Sequence, residues 1–140
     1  MVLSFAVNYL AVVVSAIVGM VIGALWYSQL LFGKMWMKLS GVTGKHIQKA
    51  KEKGMSKNYA LAFLGSLLMS YILAHFVYYT QASTVLEGMQ TGFWIWLGFV
   101  ATIMLGMVLW EGKSWKLYFV KAAHELVALA VMGAILAVWA

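Results

Sequence analysis

Four long apolar runs alternate with polar connections along this chain, at about 3–27, 59–79, 92–110 and 117–139. Each reaches the roughly 20 residues that a helix needs to cross about 30 Å of hydrocarbon. The sequence contains no proline to break them, so the backbone groups are expected to satisfy one another in uninterrupted helices. The first run lacks the basic start and the small-residue cleavage site of a secretory signal and is too long for one, so it reads as a retained anchor. The expected fold is all-α: a single transmembrane domain over 1–140, built as an integral membrane four-helix bundle.

The connections carry a second pattern. The first, 28–58, holds Lys34, Lys38, Lys45, Lys49, Lys51, Lys53 and Lys57, whereas the second, 80–91, holds no lysine. The third is short and holds Lys113 and Lys116, with Lys121 just inside the fourth helix. Positive charge flanking short loops stays on the cytoplasmic side. Connections one and three are therefore expected inside a cytoplasmic (plasma) membrane, and connection two outside it together with both termini. Trp26 and Tyr27 then fall at an inner membrane edge, and Tyr78, Tyr79 and Trp139 at an outer one, as interfacial aromatics do.

The long first connection has structure of its own. Residues 29–39 mix Leu30, Leu31, Phe32, Trp36 and Met37 with Lys34 and Lys38, the composition of a short amphipathic helix lying in the headgroup plane. Gly41 ends it. Thr43 is placed to cap a polar cytoplasmic helix carrying Lys45, Lys49 and Lys53 one turn apart, with Gly54 and Ser56 marking its stop and the next start. This lysine row reads as a solvated face that enforces topology, with docking of a partner or an acidic lipid as the alternative.

Composition narrows the function classes. A chain of 140 residues that is 64% hydrophobic and 10% charged has more apolar surface than one soluble domain of its size can bury. It has no cysteine, which removes disulfides, thiolate metal sites and cysteine nucleophiles. The net charge of +6 comes from lysines in membrane-flanking connections, without one arginine, so anionic lipid headgroups are the expected partner and nucleic acid is not. No nucleophile elbow, paired acid or metal-ligand spacing occurs, so no metal, no cofactor and no enzymatic activity is expected. His75 and His124 sit about 15 Å apart in height on helices running in the same direction, too far for one haem within a monomer.

Small residues spaced by four run along each helix, and such rows let helix backbones approach closely in lipid. They include Ser15, Gly19 and Gly23 on the first helix, Ser66 and Ser70 on the second, and Gly98 and Gly106 on the third. Intramolecular packing is the expected use, with self-association as the alternative. Two polar groups stand out against the apolar background. At the inner side, Glu125 lies near the centre of the fourth helix, where an unpaired carboxylate costs at least about 3 kcal/mol. Lys121, one turn away, is expected to pair with it; a proton- or cation-responsive carboxylate with His124 and Glu111 nearby is the alternative. At the outer side Asn8, Tyr71, His75, Tyr78 and Glu87 share a level, and they line either a small polar pocket or an interfacial belt.

The segment GALWYSQLLFGKMWMK, residues 23–38, preceded by Asn8-Tyr9-Leu10-Ala11, resembles the signature of a family of small bacterial and archaeal membrane proteins catalogued as domain of unknown function 1761. GFWIWLGFV at 92–100 and VMGAILAVW at 131–139 are similar to its third and fourth helices. The family pattern usually has proline after the Trp-Tyr-Ser triplet; this chain has Gln29. The resemblance implies a fold and no catalytic residue. The small-residue rows and the scarcity of buried polar groups favour a structural or accessory subunit of a membrane assembly or a homo-oligomer. The alternative is a minimal proton- or small-solute-coupled transporter or channel using Glu125.

Overall fold

The computed structural model describes residues 7–139, and the expected beginning of the first helix near Leu3 lies outside them. The described chain forms helices α1 (Tyr9–Trp26), α2 (Gly33–Ser40), α3 (Gly44–Glu52), α4 (Ser56–Tyr79), α5 (Val85–Leu109) and α6 (Trp115–Val138), with no strand among the described residues. Helices α1, α4, α5 and α6 are long and apolar enough to cross a membrane, with mean hydropathies of 2.3, 1.9, 2.0 and 1.7. The two short helices lie in the connection between the first and second of these.

Local chemistry sets the helix ends. The Asn8 carboxamide oxygen accepts from the Ala11 amide at 3.2 Å and starts α1. Gly41, at φ +79°, closes α2 in the left-handed conformation that glycine adopts freely. Thr43 opens α3 in a reciprocal cap with His46. Helix α5 starts at Val85 rather than near residue 92, because Thr84 and Glu87 form a capping box that outweighs the lower hydropathy of that turn. Between α1 and α2 the chain turns without a proline: the Phe32 amide donates to the Trp26 carbonyl at 2.9 Å and the Gly33 amide to the Ser28 carbonyl at 2.8 Å. A Cβ on Gly33 would stand 2.6 Å from the Tyr27 and Ser28 carbonyl oxygens, so glycine permits the turn.

Helix α6 is the hub. It packs on α1, α4 and α5, while α1 also packs on α4. Accordingly 39% of the apolar window in α6 is buried, against 22% in α1 and α4 and 11% in α5. The core gathers Val12, Leu73, Val77, Leu129, Met132 and Leu136. Large side chains such as Leu61, Leu68, Phe99 and Ile103 point outward, an arrangement that suits hydrocarbon and not water.

Two seams hold the helices together. Along α1 and α4, the Ser66 hydroxyl donates to the Ala16 carbonyl at 2.8 Å and the Ser70 hydroxyl to the Val12 carbonyl at 2.9 Å. Ser15 and Gly19 lie on the same face of α1, Ser15 fully buried and Gly19 facing the ends of the Ser66 and Met132 side chains, 3.2 and 2.9 Å from where a Cβ would stand. Along α5 and α6 the contact is backbone on backbone. A Cβ on Gly88 would overlap the Gly133 carbonyl, one on Gly133 would overlap the Gly88 carbonyl, and one on Gly92 would overlap the Leu129 carbonyl.

The expected α5 seam through Gly98 and Gly106 is therefore corrected. A Cβ on Gly98 would meet nothing within 4 Å, and one on Gly106 would touch only Trp110 of its own helix. Gly98 lies six residues beyond Gly92, well off the packed face at 100° per residue. The backbone also widens into a π-helical segment over Trp96–Ala101. Its carbonyls find local partners: the Thr102 hydroxyl donates to Gly98 at 2.8 Å, and the buried Tyr118 hydroxyl donates to Ala101 at 2.8 Å.

Candidate functional site in the first half of the fourth long helix

Glu125 lies ten residues, or about 15 Å, from the first residue of α6. It is thus close to the middle of a 24-residue helix. Its Oε1 is 3.4 Å from Nδ1 of His124, and the two side chains are 31% and 15% exposed. Among the described residues this is the contact within ion-pairing distance that Glu125 makes, and it is an ion pair only when the imidazole carries its second proton. Both ring nitrogens of His124 are buried without a hydrogen-bond partner. Nε2 is directed at Gly23, where an added Cβ would come within 3.2 Å of it. Gly23 therefore makes room for the imidazole on the facing helix.

Aromatic side chains frame this pair. The His124 ring lies 5.2 Å from Tyr27 and 6.2 Å from Trp26, centroid to centroid. The Trp26 indole N–H donates to the Val120 carbonyl at 2.9 Å, and from the opposite flank the Trp96 indole donates to the Ala122 carbonyl at 2.8 Å. Two indoles thus tie α1 and α5 to the α6 backbone directly before His124 and Glu125. Indole donors satisfy their N–H inside hydrocarbon while adding a large apolar surface.

His124 and Glu125 open into a cleft of about 690 Å³ between α1, α4 and α6. Gly19, Gly23 and Gly65 form part of its wall, with Met69 and Met132 beside them. The lining is mostly apolar apart from the pair and the hydroxyls of Ser66 and Tyr59.

The expected pairing of Lys121 with Glu125 does not form. Lys121 lines a different cleft, of about 420 Å³, together with Glu111, Lys113, Trp36 and Ser40. The four inner residues singled out in the sequence thus divide into two sites, His124 with Glu125 and Lys121 with Glu111.

The outer group does not converge. Asn8 caps α1 and its amide nitrogen donates to the Trp139 carbonyl at 2.7 Å, tying the start of α1 to the end of α6. Glu87 accepts from Ser83 and from Thr84 at its own helix cap. His75 Nδ1 is 2.8 Å from the Tyr71 carbonyl, with the two rings 4.7 Å apart, and Tyr78 packs edge-on against Tyr79. A cleft of about 370 Å³ at this end includes Glu87, Thr80 and Thr91, but not Asn8, Tyr71, His75 or Tyr78.

Among the described residues no three His, Asp or Glu side chains gather as a metal-ligand set. The chemistry that the inner pair can perform by itself is proton exchange and cation pairing. Fold and site together define a small helical protein with four helices able to cross a membrane and an imidazole–carboxylate pair on the last. The family described as Protein of unknown function (DUF1761) matches residues 10–137, and the chain belongs to that family. No curated protein and no solved structure matches it.

Proposed function

We propose that the chain is a minimal proton-coupled carrier of lipophilic cations, with Glu125 as the group that exchanges a proton for the solute. The observation that carries this reading is a carboxylate close to mid-span, 31% exposed, in an otherwise largely apolar cleft of about 690 Å³. An unpaired negative charge at that depth costs at least about 3 kcal/mol. A proton or an organic cation relieves that cost, and only one of them is needed at a time. His124 at 3.4 Å supplies a second proton-holding group. Solute binding and proton release are then linked reciprocally.

The lysine distribution supports placement in a cytoplasmic membrane with both ends outside, which puts the pair in the inner half of α6. The test of the carrier reading uses purified protein in weakly buffered detergent, titrated with tetraphenylphosphonium. Wild type releases up to about one proton per bound cation, and Glu125→Gln releases none while keeping its helical circular dichroism. Equal proton release from the variant, or cation binding with no release from wild type, refutes the reading.

A second reading, an accessory subunit or homo-oligomer, has one specific support. Gly65 lines the same cleft and a Cβ there would meet nothing within 4 Å, so a partner helix has close access. Purification from native membranes in mild detergent returns stoichiometric companions or a homo-oligomer if this reading holds, and a lone monomer if it does not.

A further inference from the structure

The second cleft is independent of the carrier reading. It lies where α2, the end of α5 and the first turns of α6 meet, and it has a charged rim and an apolar floor. Lys121 stands six residues, about 9 Å, inside the start of α6. It is half-buried, and among the described residues no carboxylate reaches ion-pairing distance of it or of Lys113. Two ammonium groups against the single carboxylate of Glu111 leave the rim with one net positive charge. Ser40 accepts from the Val42 amide at 3.4 Å, which leaves its hydroxyl hydrogen to donate. Below the rim, Ile103, Met104 and Met107 form a flexible apolar wall.

We infer that this cleft binds one anionic phospholipid, its phosphate between Lys113, Lys121 and the Ser40 hydroxyl and an acyl chain along Ile103, Met104 and Met107. Charge complementarity sets the sign of the occupant, since one phosphodiester neutralises the excess. The apolar wall sets its kind, because free phosphate would leave that surface without a partner. Glu111 disfavours a second negative charge and accepts from a headgroup hydroxyl, so phosphatidylglycerol fits better than phosphatidic acid. Trp36 of α2 lines the same cleft and packs on Tyr27 at 5.6 Å, so the bound lipid also fastens the amphipathic helix to the bundle. Basic pockets between helices on the lysine-rich side of membrane proteins suit such headgroups.

Native mass spectrometry of the intact protein, from micelles holding equal phosphatidylglycerol and phosphatidylcholine, reads the preference directly. Wild type retains one phosphatidylglycerol in clear excess over phosphatidylcholine, and absence of that preference overturns the proposal without any variant being needed. Lys113→Gln and Lys121→Gln each reduce the preference about fivefold, while Lys51→Gln and Lys53→Gln at the end of α3 leave it unchanged. Equal losses from the two pairs would show diffuse attraction in place of a site. Displacement of the lipid by millimolar inorganic phosphate would show that the anion alone is recognised, and would also overturn it.

Discussion

Replacing Gly88 with alanine tests whether the α5–α6 seam is as tight as the structure has it. The new methyl would overlap the Gly133 carbonyl and stand 2.8 Å from the Cα of Ala134, both rigid helix backbone. No side chain can rotate to relieve that contact, so the helices must separate. Overpacking of this kind costs about 1–3 kcal/mol. The intrinsic helix gain from glycine to alanine, about 0.5–1 kcal/mol, opposes it. The expected net destabilisation lies between about 0 and 2.5 kcal/mol, and relative to a glycine-to-alanine change in open space it is the full overpacking cost of about 1–3 kcal/mol. Gly98→Ala, whose methyl meets nothing within 4 Å, receives the gain alone and is neutral to slightly stabilising. Gly133→Ala strikes the same crossing from the other side. The Gly88→Ala, Gly133→Ala double variant therefore costs clearly less than the sum of its parts, since one separation accommodates both methyls. Denaturant titration in mixed detergent, read by tryptophan fluorescence, gives all four free energies. If Gly88→Ala and Gly98→Ala agree within about 0.3 kcal/mol, or if the double is additive, the backbone crossing is wrong.

Two further outcomes are expected. Ser70→Ala removes a fully buried hydroxyl that donates to Val12 and costs about 0.6 kcal/mol, whereas Ser15→Ala removes a fully buried hydroxyl with no partner and is neutral or stabilising; the same unfolding assay separates them, and equal effects refute the assignment. The cysteine-free chain also permits a clean topology test: with both ends outside, an impermeant maleimide applied to intact cells labels Ser83→Cys and not Lys53→Cys, and the reverse pattern inverts the orientation.

How much of this was legible in the residues depends on the range of the interaction that decides each feature. The existence of four long apolar helices, the Gly41 stop, the Thr43 cap and the serine row of α4 are written in short-range pattern, and each is found in the structure. The start of α5 was legible too, in Thr84-x-x-Glu87, but hydropathy masked it. With that turn counted as loop, Gly88 and Gly92 dropped out of view although they are themselves spaced by four. The partner of Glu125 was harder. Lys121, at i+4 spacing, and His124, adjacent to it, were both near enough, and the choice rests on Gly23 of another helix, which makes room for the imidazole. Nor does any local pattern say that Trp26 and Trp96 direct their indoles at neighbouring carbonyls of one helix.

The packing of α6 limits how a carrier of this design could move. Toward its C-terminal end the helix is sealed: Met132, Leu136 and Ala137 are 1%, 5% and 2% exposed, and Gly133 meets the α5 backbone. A solute at Glu125 that leaves in that direction passes between Met132 and Gly19, where the flexible Met132 side chain must swing aside from a contact that would put an added Cβ 2.9 Å from its sulfur. Movement of α1 alone breaks the Ser66 and Ser70 hydrogen bonds from α4. Tilting of the two helices together against α6 keeps both. Among the described residues two hydrogen bonds span that boundary, Asn8 to Trp139 at the C-terminal end of α6 and Trp26 to Val120 toward its N-terminal end. Opening outward breaks the first and can spare the second, which then serves as the pivot. The two indole ties thus have a role in the carrier reading beyond stability: they fix the half of α6 that holds the exchanging pair while the other half opens.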